Sequence, residues 1–564
     1  MKNNLIFYIS FLVILPFNSC VNNKDLNKQL IIPEADNGGI LLPDKFGAIV
    51  VADSLGRGRH LVVNNNGDIY VHLRKLTDEG HGIIALRDTS ENGRADISVG
   101  FSEVTGTGIE IHNGFLYYSS RTEVYRSPMT LGELLPTDHI DTLVHLVDGT
   151  GHMEKPFTFD GKGNMLVNVG SQSNACQEVQ RTAGSKGVDP CIELETRAGI
   201  WKFNEDSLHQ KQDLSNRYAT GIRNAVALNW NAEVDKLFAL QHGRDDLHRF
   251  WPQYFTEEQN LDLPAEEFLE IEEGDDFGWP YCFWNPFENK KLLNPEFGGD
   301  GQLVERCEGI KEPILAFPGH WAPNDLLFYK GDQFPEKYKN GAFIAWHGSW
   351  NRLGHEQAGY NIVFVPMKNG KPNGNWEIFA DGFKGPKPLE SPGDAIYRPC
   401  GLSEGPDGSL YVVDSQVGRV WRIMYYPDGI KETTGVTENS TTEELTKNEP
   451  KEASEAVLAG KKVYDSYCLP CHMSNGKGAP GMNPPLVGTK WVLGDKERLI
   501  KVVLQGLSEP VEIKGEIYQN VMASHAFLSD QQIADVLTFV RKSFGNNASN
   551  IEVEEVTKVR TSIK

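Results

Sequence analysis

The chain has 564 residues, more than one compact domain needs and enough for two or three. Hydrophobic residues make up 39%, so most of it can bury a core, and a net charge of −22 with no Lys/Arg block beyond the N-terminus argues against nucleic acid as a partner. With 56 glycines, 30 prolines and few long helical patterns before about residue 450, the composition favours many short strands joined by turns.

Residues 1–19 read as a signal segment. Lys2 supplies positive charge, and the apolar run from Leu5 to Pro16 is too short to span a bilayer. The run ends at Phe17-Asn18-Ser19-Cys20, which resembles a bacterial lipobox with Cys20 as the first mature residue. The plainer reading is an ordinary signal peptide with an incidental cysteine. An acylated Cys20 would hold the protein on the periplasmic side of a membrane without crossing it. Residues 20–36 are polar and read as a tether.

Residues 37–427 carry an internal repeat, a turn followed by an apolar or aromatic strand. It recurs at Asn66-Gly67-Asp68-Ile69-Tyr70-Val71, Asn113-Gly114-Phe115-Leu116-Tyr117-Tyr118 and Gly163-Asn164-Met165-Leu166-Val167. It returns at Asp235-Lys236-Leu237-Phe238-Ala239, Asn340-Gly341-Ala342-Phe343-Ile344-Ala345 and Asp407-Gly408-Ser409-Leu410-Tyr411-Val412. A second strand often follows, as at Val124-Tyr125-Arg126, Ile200-Trp201-Lys202 and Val420-Trp421-Arg422. No such unit buries both faces of a small sheet alone, so the units must stack. Radial stacking gives a mostly β fold, a six-bladed β-propeller; a β-sandwich with long loops is the rival architecture.

Residues 428–454 are rich in Thr, Glu, Lys and Asn, lack aromatics and read as a solvated linker. From 455 to 545 the apolar spacing turns helical, which predicts a small all-α domain, and residues 546–564 read as a disordered tail. Inside the helical part lies Cys468-Leu469-Pro470-Cys471-His472. Two thiols at this spacing can each bond a haem vinyl group, and the following histidine then sits under the iron. A redox or chance pair of cysteines is the bland alternative. The segment resembles a class I cytochrome c throughout, with covalent haem c on Cys468 and Cys471 and His472 as one axial ligand. Met522, in a loop before a helix capped by Ser529, is the expected sixth ligand; Met482 and His525 are alternatives.

The remaining cysteines bracket loop-like segments. Cys176/Cys191 and Cys282/Cys307 are expected as disulfides, which leaves Cys400 unpaired; all five buried and reduced is the alternative.

The loops between repeats suggest chemistry. They include Gly151-His152-Met153, Thr220-Gly221-Ile222-Arg223-Asn224, His242-Gly243-Arg244-Asp245, Phe277-Gly278-Trp279-Pro280, and Trp346-His347-Gly348-Ser349-Trp350-Asn351-Arg352 with Tyr397-Arg398-Pro399. Together they resemble the soluble-type PQQ-dependent sugar dehydrogenases, in the sorbosone/pyranose branch. The resemblance implies a quinone over the central channel, held by Arg223, Asn224, Arg244, Arg352 and Arg398, since guanidinium groups pair with its carboxylates. It implies Ca²⁺ on the backbone carbonyls of Gly243 and Arg244. His152 would act as general base. There is no match to the aromatic sugar platform of the glucose-oxidising enzymes, and Trp321 or Trp350 could serve instead. The expected activity is oxidation of a sugar or related aldehyde, with electrons passing through the haem to a respiratory acceptor. A sugar-binding propeller without catalysis and a Ca²⁺-dependent lactonase are the rivals; a purely structural lipoprotein fits a covalent haem poorly.

Overall fold

The computed structural model describes residues 31–352, 355–389 and 391–430, then 455–468, 472, 476, 484–507, 509–518, 522, 524–526 and 528–563. Cys20 with the signal segment, most of the linker, Cys471 and Met482 lie outside the described residues.

The sequence repeat becomes the second strand of each blade. Six sheets of four or more strands are formed, and their second strands are Ile69–Leu73, Phe115–Ser119, Asn164–Val169, Lys236–Gln241, Ala342–Trp346 and Leu410–Asp414. Each enters from the turn that marks its repeat. At Asn113-Gly114 both residues have positive φ, 46° and 80°, the geometry that joins twisted antiparallel strands. The inner strands are Gly58–Val63, Ile109–His112, Phe157–Phe159, Ala227–Asn231, Pro323–Phe328 and Pro399–Glu404, and their contacts with one another line the centre of a six-bladed propeller. The ring is closed by strand exchange: Phe46–Ala52, first in the chain, pairs antiparallel with Val420–Tyr425 as the outer strand of the last blade. Aromatic packing locks this seam, with Phe46 edge-on to Phe334 at 4.8 Å and to Phe379 at 5.0 Å.

The tether is shorter than expected. Residues 31–36 already belong to the propeller, because Tyr426 donates to Ile31 O at 2.8 Å and Glu34 pairs with Arg94 at 2.6 Å. Both expected disulfides form, Cys176–Cys191 and Cys282–Cys307, and Cys400 is buried and unpaired.

In the C-terminal part, helix Glu455–Tyr467 crosses helix Asp530–Lys542 at Gly460. A Cβ there would stand 2.0 Å from Asp535 O, so only glycine allows the approach. Ser529 caps the second helix through a reciprocal bond with Gln532. Two expectations are corrected. The domain is not wholly helical: Val511–Ile513 and Glu516–Tyr518 form a hairpin around Lys514-Gly515, both at positive φ. The tail is ordered, since Val553–Ser562 is a helix whose Val556 and Val559 are buried and whose Arg560 pairs with Asp530 at 2.6 Å. Among the described residues no helix is long and apolar enough to cross a membrane.

Candidate active site

First and second strands are antiparallel in every blade, so the start of each inner strand and the end of each second strand meet at one mouth of the ring. Chemistry-bearing side chains gather there. Arg59 and His60 open the first blade, and His152 and Glu154 precede the inner strand of the third. Arg223 and Asn224 precede that of the fourth, His242 and His347 follow second strands, and Arg398 precedes the last inner strand. The groups act on one another: burial first, then Arg398, Arg59 and His242 hold His347 well below its ordinary pKa.

His152 is held as a neutral imidazole. Its Nδ1 lies 2.8 Å from Ser171 O and 3.1 Å from Ser171 Oγ. A ring nitrogen facing a carbonyl carries the proton, which leaves the Nε2 lone pair available. Burial, and then the Arg223 charge, lower the imidazole pKa, so the ring is neutral near pH 7. Gly170 permits the arrangement: a Cβ there would meet His152 Cβ at 2.7 Å and Asn224 Oδ1 at 2.5 Å.

His152 and Arg223 line one cavity of about 360 Å³, with Thr150, Gln172, Asn174, Gln180 and Arg181 on its walls. The Arg223 guanidinium is fixed by Asn174 Oδ1 at 3.0 Å, Asp245 Oδ2 at 3.1 Å and Gly243 O at 3.0 Å. Asn224 is buried and accepts from Asn168 at 3.3 Å. Arg398 donates to His347 O and Gly348 O, both at 2.9 Å, and lies over the Tyr360 ring.

Sequence reasoning missed Arg59 and Glu154, which pair at 3.4 Å beside His152. Burial opposes the ionised carboxyl of Glu154, but Arg59 holds its pKa well below the ordinary range. Their positions at inner-strand starts were the available signal. Arg59, Arg223 and Arg398 together give the mouth a donor set suited to a small polycarboxylate, so the residues present fit a quinone of that kind.

Two of the expected arginines point elsewhere. Arg244 does not line the cavity; its guanidinium forms a fully buried ion pair with Glu296. Arg352 ties its own loop to the segment at Leu261, donating to Leu261 O at 3.0 Å and Glu356 O at 3.1 Å. At the expected calcium position, Gly243 O accepts from the cationic Arg223 at 3.0 Å.

Of the haem residues, His472 is buried and its Nδ1 donates to Pro484 O at 3.0 Å. That bond fixes the ring and leaves Nε2 as the atom that would ligate a haem iron. Met522 and Cys468 pack against the same apolar core, and Met522 is held by reciprocal backbone bonds to Leu507 at 2.8 and 2.9 Å. The residues present fit a covalently attached haem.

Comparison with known proteins agrees with both halves. The profile described as TrAA12-like matches residues 41–426, and the cytochrome c profile matches residues 457–543. Cytochrome c-552 of Thermus thermophilus is 40% identical over 115 residues, 19% of this chain and 76% of that protein. A Borreliella burgdorferi protein described as uncharacterized is 26% identical over 277 residues, and the match spans 49% of this chain and 61% of that protein. Among solved structures, the holo form of the pyranose dehydrogenase PQQ domain from Coprinopsis cinerea superposes with a TM-score of 0.56 at 20% identity, covering 68% of this chain and 97% of that one.

Proposed function

The chain belongs to the TrAA12-like family, with a cytochrome c domain behind the propeller, and on that premise we propose that it is a quinohaemoprotein that oxidises a pyranose or related aldehyde. The observation that carries this reading is a neutral, base-ready His152 in one cavity with Arg223. PQQ, when bound, would supply the two-electron acceptor. Arg59, Arg223 and Arg398 would hold its carboxylates, and Asn224 would stand beside it. His152 Nε2 would accept the proton of the substrate's anomeric hydroxyl as the C1 hydrogen leaves as hydride to that acceptor, giving a lactone from a cyclic sugar. One solved propeller that resembles this one is a pyranose dehydrogenase PQQ domain, which supports a sugar as substrate.

Haem c, joined to Cys468 and Cys471 with His472 and Met522 on its axis, would carry electrons singly to a respiratory acceptor. The linker keeps propeller and haem at high effective concentration. Acylation of Cys20 would hold the protein at the periplasmic side; the support is the Phe17-Asn18-Ser19-Cys20 pattern.

The test is a visible spectrum of the oxidised, PQQ-loaded protein before and after a panel of aldoses. Substrate-dependent sharpening of the haem α-band at about 550 nm is expected. If dithionite produces the band and no sugar or aldehyde does, the dehydrogenase reading falls to a sugar-binding propeller or a lactonase.

A further inference from the structure

The segment 147–156 carries His152 to the mouth and has no regular secondary structure. Among the described residues no backbone N–H donates to the carbonyls of Val147, Asp148, His152 or Met153. Two buried cations meet them instead. The Arg197 guanidinium donates to Val147 O at 3.5 Å, to Asp148 O at 2.5 Å and, beyond the segment, to Gly170 O at 3.4 Å. The Lys155 ammonium donates to Met153 O at 3.1 Å and to His152 O at 3.5 Å. The loop is pressed close at its glycines. A Cβ at Gly149 would stand 2.1 Å from Arg197 Nη2, and one at Gly151 would stand 2.3 Å from Gln172 O.

Lys155 is 1% exposed, and among the described residues every hydrogen bond of its ammonium goes to a main-chain carbonyl. A buried charge without a bonded carboxylate costs stability, so an apolar side chain would serve packing better. What the charge does here is hold the peptide group of the base. His152 N–H is fixed by Ser171 O at 3.0 Å, and His152 C=O is fixed by Lys155. The charged groups around the ammonium are Arg197, Glu154, Arg121 and Asp148. Burial, then Arg197, bring its pKa down to about 8, against the opposite pull of Glu154 and Asp148.

We propose that Lys155 is a positioning residue for the base: its ammonium, tied to His152 O and Met153 O, holds the loop where His152 Nε2 meets the substrate hydroxyl. The role rests on the dehydrogenase reading above. As the pH rises through about 8 the ammonium becomes an amine, loses its charge and one donor, and its hold on the loop weakens.

The test compares Lys155→Met and Lys155→Arg with the unaltered full chain, loaded with haem and PQQ, with haem reduction by an aldose as one readout. The second readout needs no turnover: the rate at which diethyl pyrocarbonate modifies His152, read by peptide mass spectrometry against the exposed His139. Thermal melting and the dithionite-reduced spectrum confirm that each variant folds. Lys155→Met is expected to lower kcat by about 10–100-fold with KM within about twofold, the cost of a base displaced by about 1 Å. His152 modification should change at least about fivefold while that of His139 stays constant, since a loosened loop alters access to a neutral imidazole. Lys155→Arg keeps a cation at the carbonyls, so it should recover most of kcat and lose the decline in rate that the unaltered protein shows above about pH 8. Unchanged kcat and modification in Lys155→Met, an arginine variant no better than the methionine one, or an alkaline decline that persists in Lys155→Arg overturns the positioning role while the dehydrogenase reading stands. If no aldose reduces the haem of the unaltered protein, the dehydrogenase reading falls and the catalytic role of Lys155 with it, and the modification ratio alone shows whether Lys155 holds the loop.

Discussion

Asp245 Oδ2 accepts from Arg223 Nη2 at 3.1 Å and, on the same oxygen, from Arg181 Nη2 at 2.8 Å. One carboxylate thus joins two arginines that line the cavity shared with His152. Burial opposes its ionisation, but Arg223, then His320 and Arg181, hold its pKa at about 2. Asp245→Asn leaves the buried Arg223 guanidinium without its paired anion, while Arg181 keeps Asp246, and should destabilise the propeller by about 3–5 kcal/mol, the usual effect of breaking a buried pair. Denaturant unfolding followed by tryptophan fluorescence measures this. The folded value lies below the ordinary 3.8, so the contribution is present above that pH and is lost as the pH falls towards about 2. Asp245→Asn should therefore flatten the acid-unfolding curve in that window.

His152→Gln keeps a side chain that can bond Ser171 but removes the base. Turnover should fall by about 10²–10⁴-fold, with quinone loading and dithionite reduction of the haem retained. Stopped-flow reduction of the haem by substrate separates these. The pH profile carries the sign of the pKa shift. Burial and Arg223 depress the imidazole value, so the rate should stay level through neutral pH and decline only well below 6.5, where the ring gains its proton. Arg223→Gln removes the second of these causes and should move that acid limb upward towards 6.5, measured at saturating quinone and substrate.

Much of the architecture was legible because it is local. Each repeat couples a turn residue that tolerates positive φ, such as Asn113 or Asp235, to a short apolar strand buried along almost its whole length, and both signals lie within about ten positions. The mouth is different. Arg59 and Glu154 are far apart in sequence and meet only in the folded ring, and their places at the starts of inner strands are the one local hint of it. Arg244 shows the converse error. Its neighbours in His242-Gly243-Arg244-Asp245 do face the site, yet buried Glu296, supplied by an insertion, draws its guanidinium away. The C-terminal helix was misread because its apolar stripe is narrow, and Val556 and Val559 gain their stability from a neighbouring helix rather than from propensity.

The haem axis gives a prediction independent of the propeller. Met522→Ala removes the thioether while leaving the Leu507 backbone bonds that hold the segment. The haem should remain attached and the reduction potential should fall, because a thioether favours the reduced iron. Spectroelectrochemical titration measures the shift. An unchanged potential would move the ligand role to His525, whose backbone is anchored nearby at Val503.

Gly460 sets how closely the two long helices of the haem domain can approach. A methyl group there would meet Asp535 O at 2.0 Å and Phe539 Cβ at 2.8 Å, both on the facing helix. Backbone cannot rotate aside as a side chain can, so Gly460→Ala must push the helices apart. The loss would come through Tyr464, buried and packed at 5.2 Å against both Phe539 and Phe544. Overpacking of this kind costs about 1–3 kcal/mol, which exceeds the gain of up to about 1 kcal/mol that alanine offers over glycine in a helix. The net effect should be an earlier thermal loss of the haem-domain visible spectrum, with propeller unfolding, followed by tryptophan fluorescence, unchanged. A variant that melted later would mean that helix propensity outweighs the steric term at this crossing.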